Sequence, residues 1–277
     1  MTTRRVAALI GSPVEHSLSP VIHQAAFDAA GIDWTYVAFD VAPGCAADAI
    51  RAMRVLGIAG MSVTMPHKRD VFDAVDRLEP AAQALHSVNT VTWNGDELVG
   101  SSTDGAGFVS SLAECGVDVD GARVAVIGAG GAARSVIDAL GRAGSIDITV
   151  LNRTREHAER AATLSSAASV GVVSDIGRAD IIVNATNVGM GVAPDDAGPD
   201  DLPCDPALLH AGQVVIDLVY HPLRTAWIEA AASVGAQAID GLGMLIHQAA
   251  LQQERWTGML PDTTVMRIAA EAALVGR

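Results

Sequence analysis

The chain has 277 residues, half of them apolar but only 4% aromatic, enough for one large or two ordinary domains with aliphatic cores. A formal charge of −14 with no stripe of Lys and Arg argues against a nucleic-acid partner. Cys45, Cys115 and Cys204 lie far apart without a CxxC, and the eight histidines form no HExxH, so neither a disulfide framework nor a metal site is assigned. The apolar run that starts at Met1 is broken by Gly11, Pro13, Glu15 and His16, too short for a signal peptide. No stretch is long and apolar enough to span a bilayer, so a cytoplasmic protein without a membrane partner is expected.

In chain order, residues 6–10 read as a buried strand. Ser19-Pro20 reads as a helix start, with the Ser19 hydroxyl as N-cap and proline at the first turn, and that helix runs to about Ala30 before Gly31. A strand at 34–39, a helix at 46–56 ended by Gly57 and a strand at 59–63 follow. Short helices at 71–75 and 81–86 precede strands at 88–93 and 97–99, with Asn94-Gly95 as the hairpin turn. A helix from Asp104 to about Glu114 connects to strands at 123–127, 146–151, 181–184 and 214–218, and two helices, 244–257 and 263–274, close the chain. The alternation implies parallel sheets of βαβ units in both halves. The stretch 191–206, rich in Asp, Pro and Gly, reads as a mobile surface loop.

The strand 124–127 runs into Gly128-Ala129-Gly130-Gly131-Ala132-Ala133, a strand–turn–helix that cradles a pyrophosphate. Gly128 allows the tight turn, Gly130 lets backbone N–H groups approach the phosphates, and Ala132 or Ala133 keeps the helix close to the sheet. The next strand ends in Asn152-Arg153-Thr154, where NAD-binding folds usually place a carboxylate for the ribose. A guanidinium there suits a 2′-phosphate, so the expected cofactor is NADP.

Other polar residues gather at predicted strand ends: Ser17, Ser19, Thr64, Lys68, Asn89, Asp104, Tyr220, and Gln248 on the C-terminal helix. Singly, each also fits a structural role. Ser19 and Asp104 suit helix caps, Lys68 a solvated amine, Asn89 a hairpin residue and Gln248 an exposed helix position. His67 and His247 are read as structural.

Taken together, the residues resemble one family. Gly11-Ser-Pro-Val-Glu-His-Ser17-Leu-Ser19-Pro20, Ser62-Val-Thr64-Met-Pro-His-Lys68, Ser87-Val-Asn89-Thr90 and Thr103-Asp104-Gly105 are similar to the signature set of the shikimate dehydrogenases. So are the glycine turn, Asn184-Ala-Thr186, Tyr220-His-Pro222 and the run from Asp240 to Gln248. The resemblance implies an N-terminal α/β substrate domain, a Rossmann-type doubly wound NADP domain, and C-terminal helices that return to the N-terminal domain. The expected boundaries are 1–104 completed by 242–277, with 105–241 between them.

The resemblance also implies Lys68 as the catalytic lysine and Asp104 as its carboxylate partner. Ser17 and Ser19, helped by Tyr220, would hold the substrate carboxylate, and Thr64, Asn89, Asp104 and Gln248 the ring hydroxyls. Leu218 and Gly241 would lie near the nicotinamide. Three positions depart from the family: Ser62 and Ser102 stand where it usually has Asn, and His157 where it has a second arginine, with Arg155 close by.

The implied activity is reversible NADPH-dependent reduction of 3-dehydroshikimate to shikimate, on the way to the aromatic amino acids, by a monomer or homodimer. Ser62 and Ser102 keep quinate or aminoshikimate as alternative substrates. A dinucleotide-binding regulator without turnover is the alternative of another class; the presence of both Lys68 and Asp104 argues against it.

Overall fold

A computed structural model describes residues 4–275. Residues Met1–Thr3, the start of the run weighed against a signal peptide, lie outside the described residues. The chain separates into two compact units. One comprises the chain up to Thr103 together with the chain from Ile246 onward, and the other is Asp104–Leu245.

The first unit runs β1 (Arg5–Gly11), α1 (Ser19–Ala29), β2 (Trp34–Asp40), α2 (Ala46–Leu56), β3 (Gly60–Val63), α3 (Lys68–Phe72), β4 (Arg77–Leu78), α4 (Pro80–Leu85), β5 (Thr90–Asn94) and β6 (Glu97–Ser101). Its sheet has the order β2-β1-β3-β5-β6-β4. It is mixed rather than parallel: β1 runs parallel to β2 and β3, whereas β5 is antiparallel to both β3 and β6. For β5 and β6 the reason is the tight hairpin, which reverses the chain without a crossover. Asn94 pairs with Glu97, so the turn is Gly95-Asp96, one residue later than expected, with φ +62° at Gly95.

Two further local expectations are corrected. Ser19 is not a side-chain cap: it is already helical, Leu18 precedes it without a capping bond, and Ser17 Oγ accepts the Ser19 N–H at 3.2 Å. The helix expected at 71–75 forms at 68–72. The chain beyond it is drawn to the sheet, where Asp76 takes the Leu98 N–H at 2.7 Å and gives its own N–H to Leu98. Helix α2 ends where expected because Gly57, at φ +65°, accepts the left-handed cap conformation.

The second unit runs α5 (Asp104–Glu114), β7 (Arg123–Ile127), α6 (Gly131–Arg142), β8 (Asp147–Leu151), α7 (Arg155–Ala162), β9 (Ala168–Val170), β10 (Ile181–Asn184), β11 (Val214–Asp217), α8 (Ala226–Ser233) and β12 (Gln237–Ile239). Helices α9 (Leu242–Thr257) and α10 (Thr263–Val275) follow, and α10 packs on α1. The second sheet has the order β12-β11-β10-β7-β8-β9, and all its strands are parallel. The chain winds outward from β7 through β9, then returns to the other side of β7 as β10. That reversal makes the switch point at which open α/β sheets bind ligands. The stretch 191–206 is not featureless, since short 3-10 turns form at Pro194–Asp196 and Pro199–Asp201. No described helix is long and apolar enough to cross a membrane.

Asp104 opens α5, and the next residue sets how closely α5 approaches α6. A Cβ at Gly105 would stand 2.4 Å from the Ser135 carbonyl oxygen and 2.7 Å from Ala139 Cβ. At Gly130 a Cβ would meet nothing within 4 Å. Overpacking of this kind costs about 1–3 kcal/mol, so Gly105→Ala should lower Tm by roughly 3–10 °C. In the same scanning-calorimetry experiment Gly130→Ala should stay within about 2 °C of the parent, and equal shifts would refute the packing argument.

Candidate active site

In the second unit, β7 ends in a turn whose glycines serve different ends. Gly128 has φ +121°, and a Cβ on it would lie 2.8 Å from the Ala185 carbonyl after β10. Only glycine lets the two strand ends close at the switch point. Gly130 and Gly131 face open space instead, so the protein's own packing does not require them to be glycine. Gly130 precedes the twelve-residue helix α6 and gives its first turn no side-chain cap. The first N–H groups of α6 thus meet no side chain of their own turn, the arrangement a pyrophosphate needs. Ala133 is the fully buried residue that seats α6 on the sheet, while Ala132 is exposed.

At the end of β8, Asn152 Nδ2 donates to the Thr154 carbonyl at 2.9 Å and shapes the turn. Arg153 is exposed, and among the described residues its guanidinium makes no hydrogen bond or ion pair. Arg155, the nearby second cation, pairs with Glu159 at 2.9 Å, a surface contact too weak to hold it there. The residues present therefore fit a dinucleotide bearing a 2′-phosphate.

The far side of the switch point is held by a buried carboxylate. Asp217 accepts from Asn184 Nδ2 at 2.9 Å, Thr225 Oγ1 at 2.6 Å and the Val219 N–H at 3.1 Å. Burial pushes its pKa up, against these three bonds. The backbone so fixed includes Leu218, whose carbonyl lies where a Cβ on Gly241 would be, 2.4 Å away. Leu218 and Gly241 are thus in contact, with half-buried Tyr220 two residues on. Half-buried Asp104, expected as the last residue of the first domain, stands at the start of α5 in this same unit.

In the first unit, the other expected residues follow strand ends. Thr64 follows β3, fixed by its N–H to the Ile10 carbonyl at 2.9 Å, and sits against Gly11, where a Cβ would lie 2.3 Å from its methyl. Lys68 opens α3, half-buried, and its carbonyl accepts the Val88 N–H at 2.9 Å. Asn89 is buried just before β5, and Gln248 is buried on α9 rather than exposed. These two meet, Asn89 Nδ2 to Gln248 Oε1 at 3.4 Å. Asn89 also donates to Thr103 Oγ1 at 3.0 Å and accepts the Thr103 N–H at 2.9 Å.

Beneath them runs a buried chain that the sequence reading did not find. Tyr36, hydrogen-bonded also by Ser19, donates to Ser62 Oγ at 2.7 Å. Ser62 donates to Gln252 Oε1 at 2.7 Å, and Gln252 Nε2 donates to the Asn89 carbonyl at 3.2 Å. Burial raises the Tyr36 pKa above the ordinary phenol range, so the hydroxyl stays a donor. The spacing of Gln252 four residues after Gln248 on one helix face was the available signal.

His23 closes the chain, stacked on Tyr36 with ring centroids 4.3 Å apart and with Nε2 donating to Gln252 Oε1 at 3.2 Å. Complete burial lowers its pKa from 6.5 to about 4. The unfolded chain therefore binds a proton between pH 6.5 and 4 that the folded chain excludes. Stability from this group is whole above pH 6.5 and is lost on acidification, by roughly 2–3 kcal/mol near pH 4. His23→Gln should flatten the pH dependence of the urea midpoint across that window, whatever its absolute stability. Parallel profiles for parent and variant would show that another group titrates.

Three family models match the chain. They are the shikimate dehydrogenase substrate binding domain at residues 9–91, shikimate / quinate 5-dehydrogenase at 111–192, and the shikimate 5'-dehydrogenase C-terminal domain at 241–271. The NADP(+) shikimate dehydrogenase of Symbiobacterium thermophilum is 41% identical over 285 residues, covering 99% of this chain and 96% of the relative. The Thermus thermophilus shikimate 5-dehydrogenase, solved with NADP(H) and shikimate, superposes with a TM-score of 0.90 at 34% identity, covering 98% and 100% of the two chains. A 5-ketofructose reductase from a Gluconobacter strain superposes with a TM-score of 0.89 at 30% identity, covering 99% and 100%. The chain belongs to the shikimate dehydrogenase family.

Proposed function

We infer that this chain is an NADP-dependent shikimate dehydrogenase, an oxidoreductase that interconverts 3-dehydroshikimate and shikimate in the route to aromatic amino acids. The observation that carries the reading is the meeting of Asn89 and Gln248, 159 residues apart in sequence, in the unit that also presents Thr64 and Lys68 at its strand ends. When bound, the nicotinamide supplies the hydride chemistry, which no side chain can. The chain's own groups bind, orient and move the proton.

Reduction of the ring ketone leaves a developing alkoxide. In this reading the Lys68 ammonium stabilises that charge and delivers the proton to the oxygen, with Asp104 as the carboxylate that acts with it. Ser17 and Ser19, with Tyr220, hold the substrate carboxylate, and Thr64, Asn89, Asp104 and Gln248 the ring hydroxyls. Gly128 to Ala132 cradle the pyrophosphate, Asn152, Arg153 and Thr154 take the adenosine end, and Leu218 and Gly241 the nicotinamide end.

Quinate or aminoshikimate turnover is the second reading, favoured by Ser62. Its hydroxyl is spent between Tyr36 and Gln252, and its short side chain stands where the family usually has Asn. We also place the protein in the cytoplasm, as a monomer or homodimer. Its three free cysteines suit a reducing compartment.

Initial rates with shikimate and quinate, each with NADP and NAD, test the reading directly: shikimate with NADP should be fastest, and absence of turnover with every pair would overturn it. Lys68→Met should lower kcat by about 10²–10⁴-fold while NADP affinity stays nearly unchanged. A variant keeping more than about a tenth of the parent kcat would remove Lys68 from the proton transfer. Arg153 offers a charge-assisted bond that NAD cannot use, worth about a ten- to hundredfold preference for NADP. Nearby Glu156, and His157 in place of a second arginine, put the expectation in the lower half of that range. Arg153→Ala should bring the two cofactors near parity; equal weakening of both would show that Arg153 does not read the 2′-phosphate.

A further inference from the structure

We propose that the first unit carries a second ligand site, for a planar aromatic carboxylate, at the edge of its sheet opposite the expected catalytic residues. Arg5 and Trp34 are the first residues of β1 and β2, and Thr92 pairs with Gly60 at the start of β3. Ser17 and Thr64 follow the other ends of β1 and β3, so the two edges are separated by about the length of β1, roughly 20 Å. At the Arg5 edge lies a cavity of about 450 Å³, within the usual range for small-molecule sites.

Its lining is unusual for this chain. Aromatic residues are scarce, yet three of the four tryptophans, Trp34, Trp93 and Trp256, stand around this one cavity. Two of the indole N–H groups are tied to the protein, Trp93 to the Ile58 carbonyl at 2.8 Å and Trp256 to the Val91 carbonyl at 3.1 Å. Both rings are thereby fixed in orientation. Gly60 seats the Trp256 ring flat on the sheet, since a Cβ there would be 2.5 Å from it.

Two cations face the same space in a protein of net charge −14. Arg5 lies 5.7 Å from the Trp34 ring centroid and, among the described residues, has no acidic partner. Arg255 is held by Glu79, Nη2 to Oε2 at 2.9 Å, while its Nε is buried without a hydrogen-bond partner. Thr92 Oγ1, in the same wall, is also buried and unpartnered.

With Arg255 partly neutralised by Glu79 and Arg5 unopposed, the charge balance suits one negative charge. A carboxylate entering between the two guanidiniums pairs with their charge, and a flat π system fits against the indoles.

The probe is benzoate, titrated into the full chain in the presence of shikimate and NADP and followed by tryptophan fluorescence and calorimetry. We expect saturable binding with Kd below about 1 mM, weakened at least tenfold or so by Arg5→Gln and by Arg255→Gln. Acetate and inorganic phosphate at the same concentration should not displace it. Arg5 is exposed, so Arg5→Gln is decisive even where Arg255→Gln fails to fold. The proposal is overturned by no saturable signal up to about 10 mM, by unchanged Kd in Arg5→Gln, or by acetate or phosphate binding as tightly as benzoate. None of these readouts requires turnover, so they stand apart from the assignment of the catalytic activity.

Discussion

The first unit depends on the way one buried amide, Asn89, is satisfied. Its side-chain oxygen accepts from the Thr103 N–H and from Thr90 Oγ1, and its nitrogen donates to Thr103 and Gln248. Its backbone carbonyl takes the Val63 N–H at 2.7 Å and the Gln252 amide at 3.2 Å. Strand β3, the entry to β5, the exit from β6 and helix α9 are thus tied at one residue. Buried polar networks of this kind are stiff when complete and costly when one member is missing, because the partners left behind are cut off from water. The geometry of Thr64 and Gln248 follows from this knot, as does the attachment of a C-terminal segment that begins more than a hundred residues after the rest of the unit.

Much of the fold was legible because its strongest local signals agree with each other. Helix α2 carries a glycine stop in the left-handed region, and β10 is four consecutive fully buried residues. Strands β4, β9 and β12 were not legible. They are two or three residues long and partly exposed at or near sheet edges, so neither alternation nor burial marks them. The mixed first sheet was missed for a different reason. Alternating strands and helices imply parallel crossovers, but β5 enters antiparallel to β3 and the hairpin at Gly95-Asp96 makes β6 antiparallel to β5.

The candidate site shows the same division. Lys68, Asp104 and the glycine turn stand out as motifs, and their positions at the starts of α3 and α5 and at the end of β7 follow from local pattern. The chain Tyr36–Ser62–Gln252 does not, because its bonds join positions 26 and 190 residues apart. No local rule pairs a strand tyrosine with a helix glutamine across that separation. Ser17 and Ser19 fall between the two cases: hydroxyls before a helix are visible in sequence, but which one serves the backbone depends on a one-residue shift of the helix start.

The cofactor cradle raises a last physical point, since a protein of charge −14 is expected to receive a polyanion. At physiological ionic strength the field of distant carboxylates is screened within about 8–10 Å, so affinity is decided by the donors in immediate reach. The second unit meets that condition with the open first turn of α6, whose N–H groups carry the positive end of the helix dipole. One exposed guanidinium, Arg153, adds a full charge where β8 ends. Asp180, an acidic residue beside β7, is engaged by Arg123 at the opposite end of the strand, 2.7 Å away, its pKa lowered to about 2. That carboxylate stands at the end of the sheet away from the cradle and is already paired, so it does not oppose the ligand where it binds.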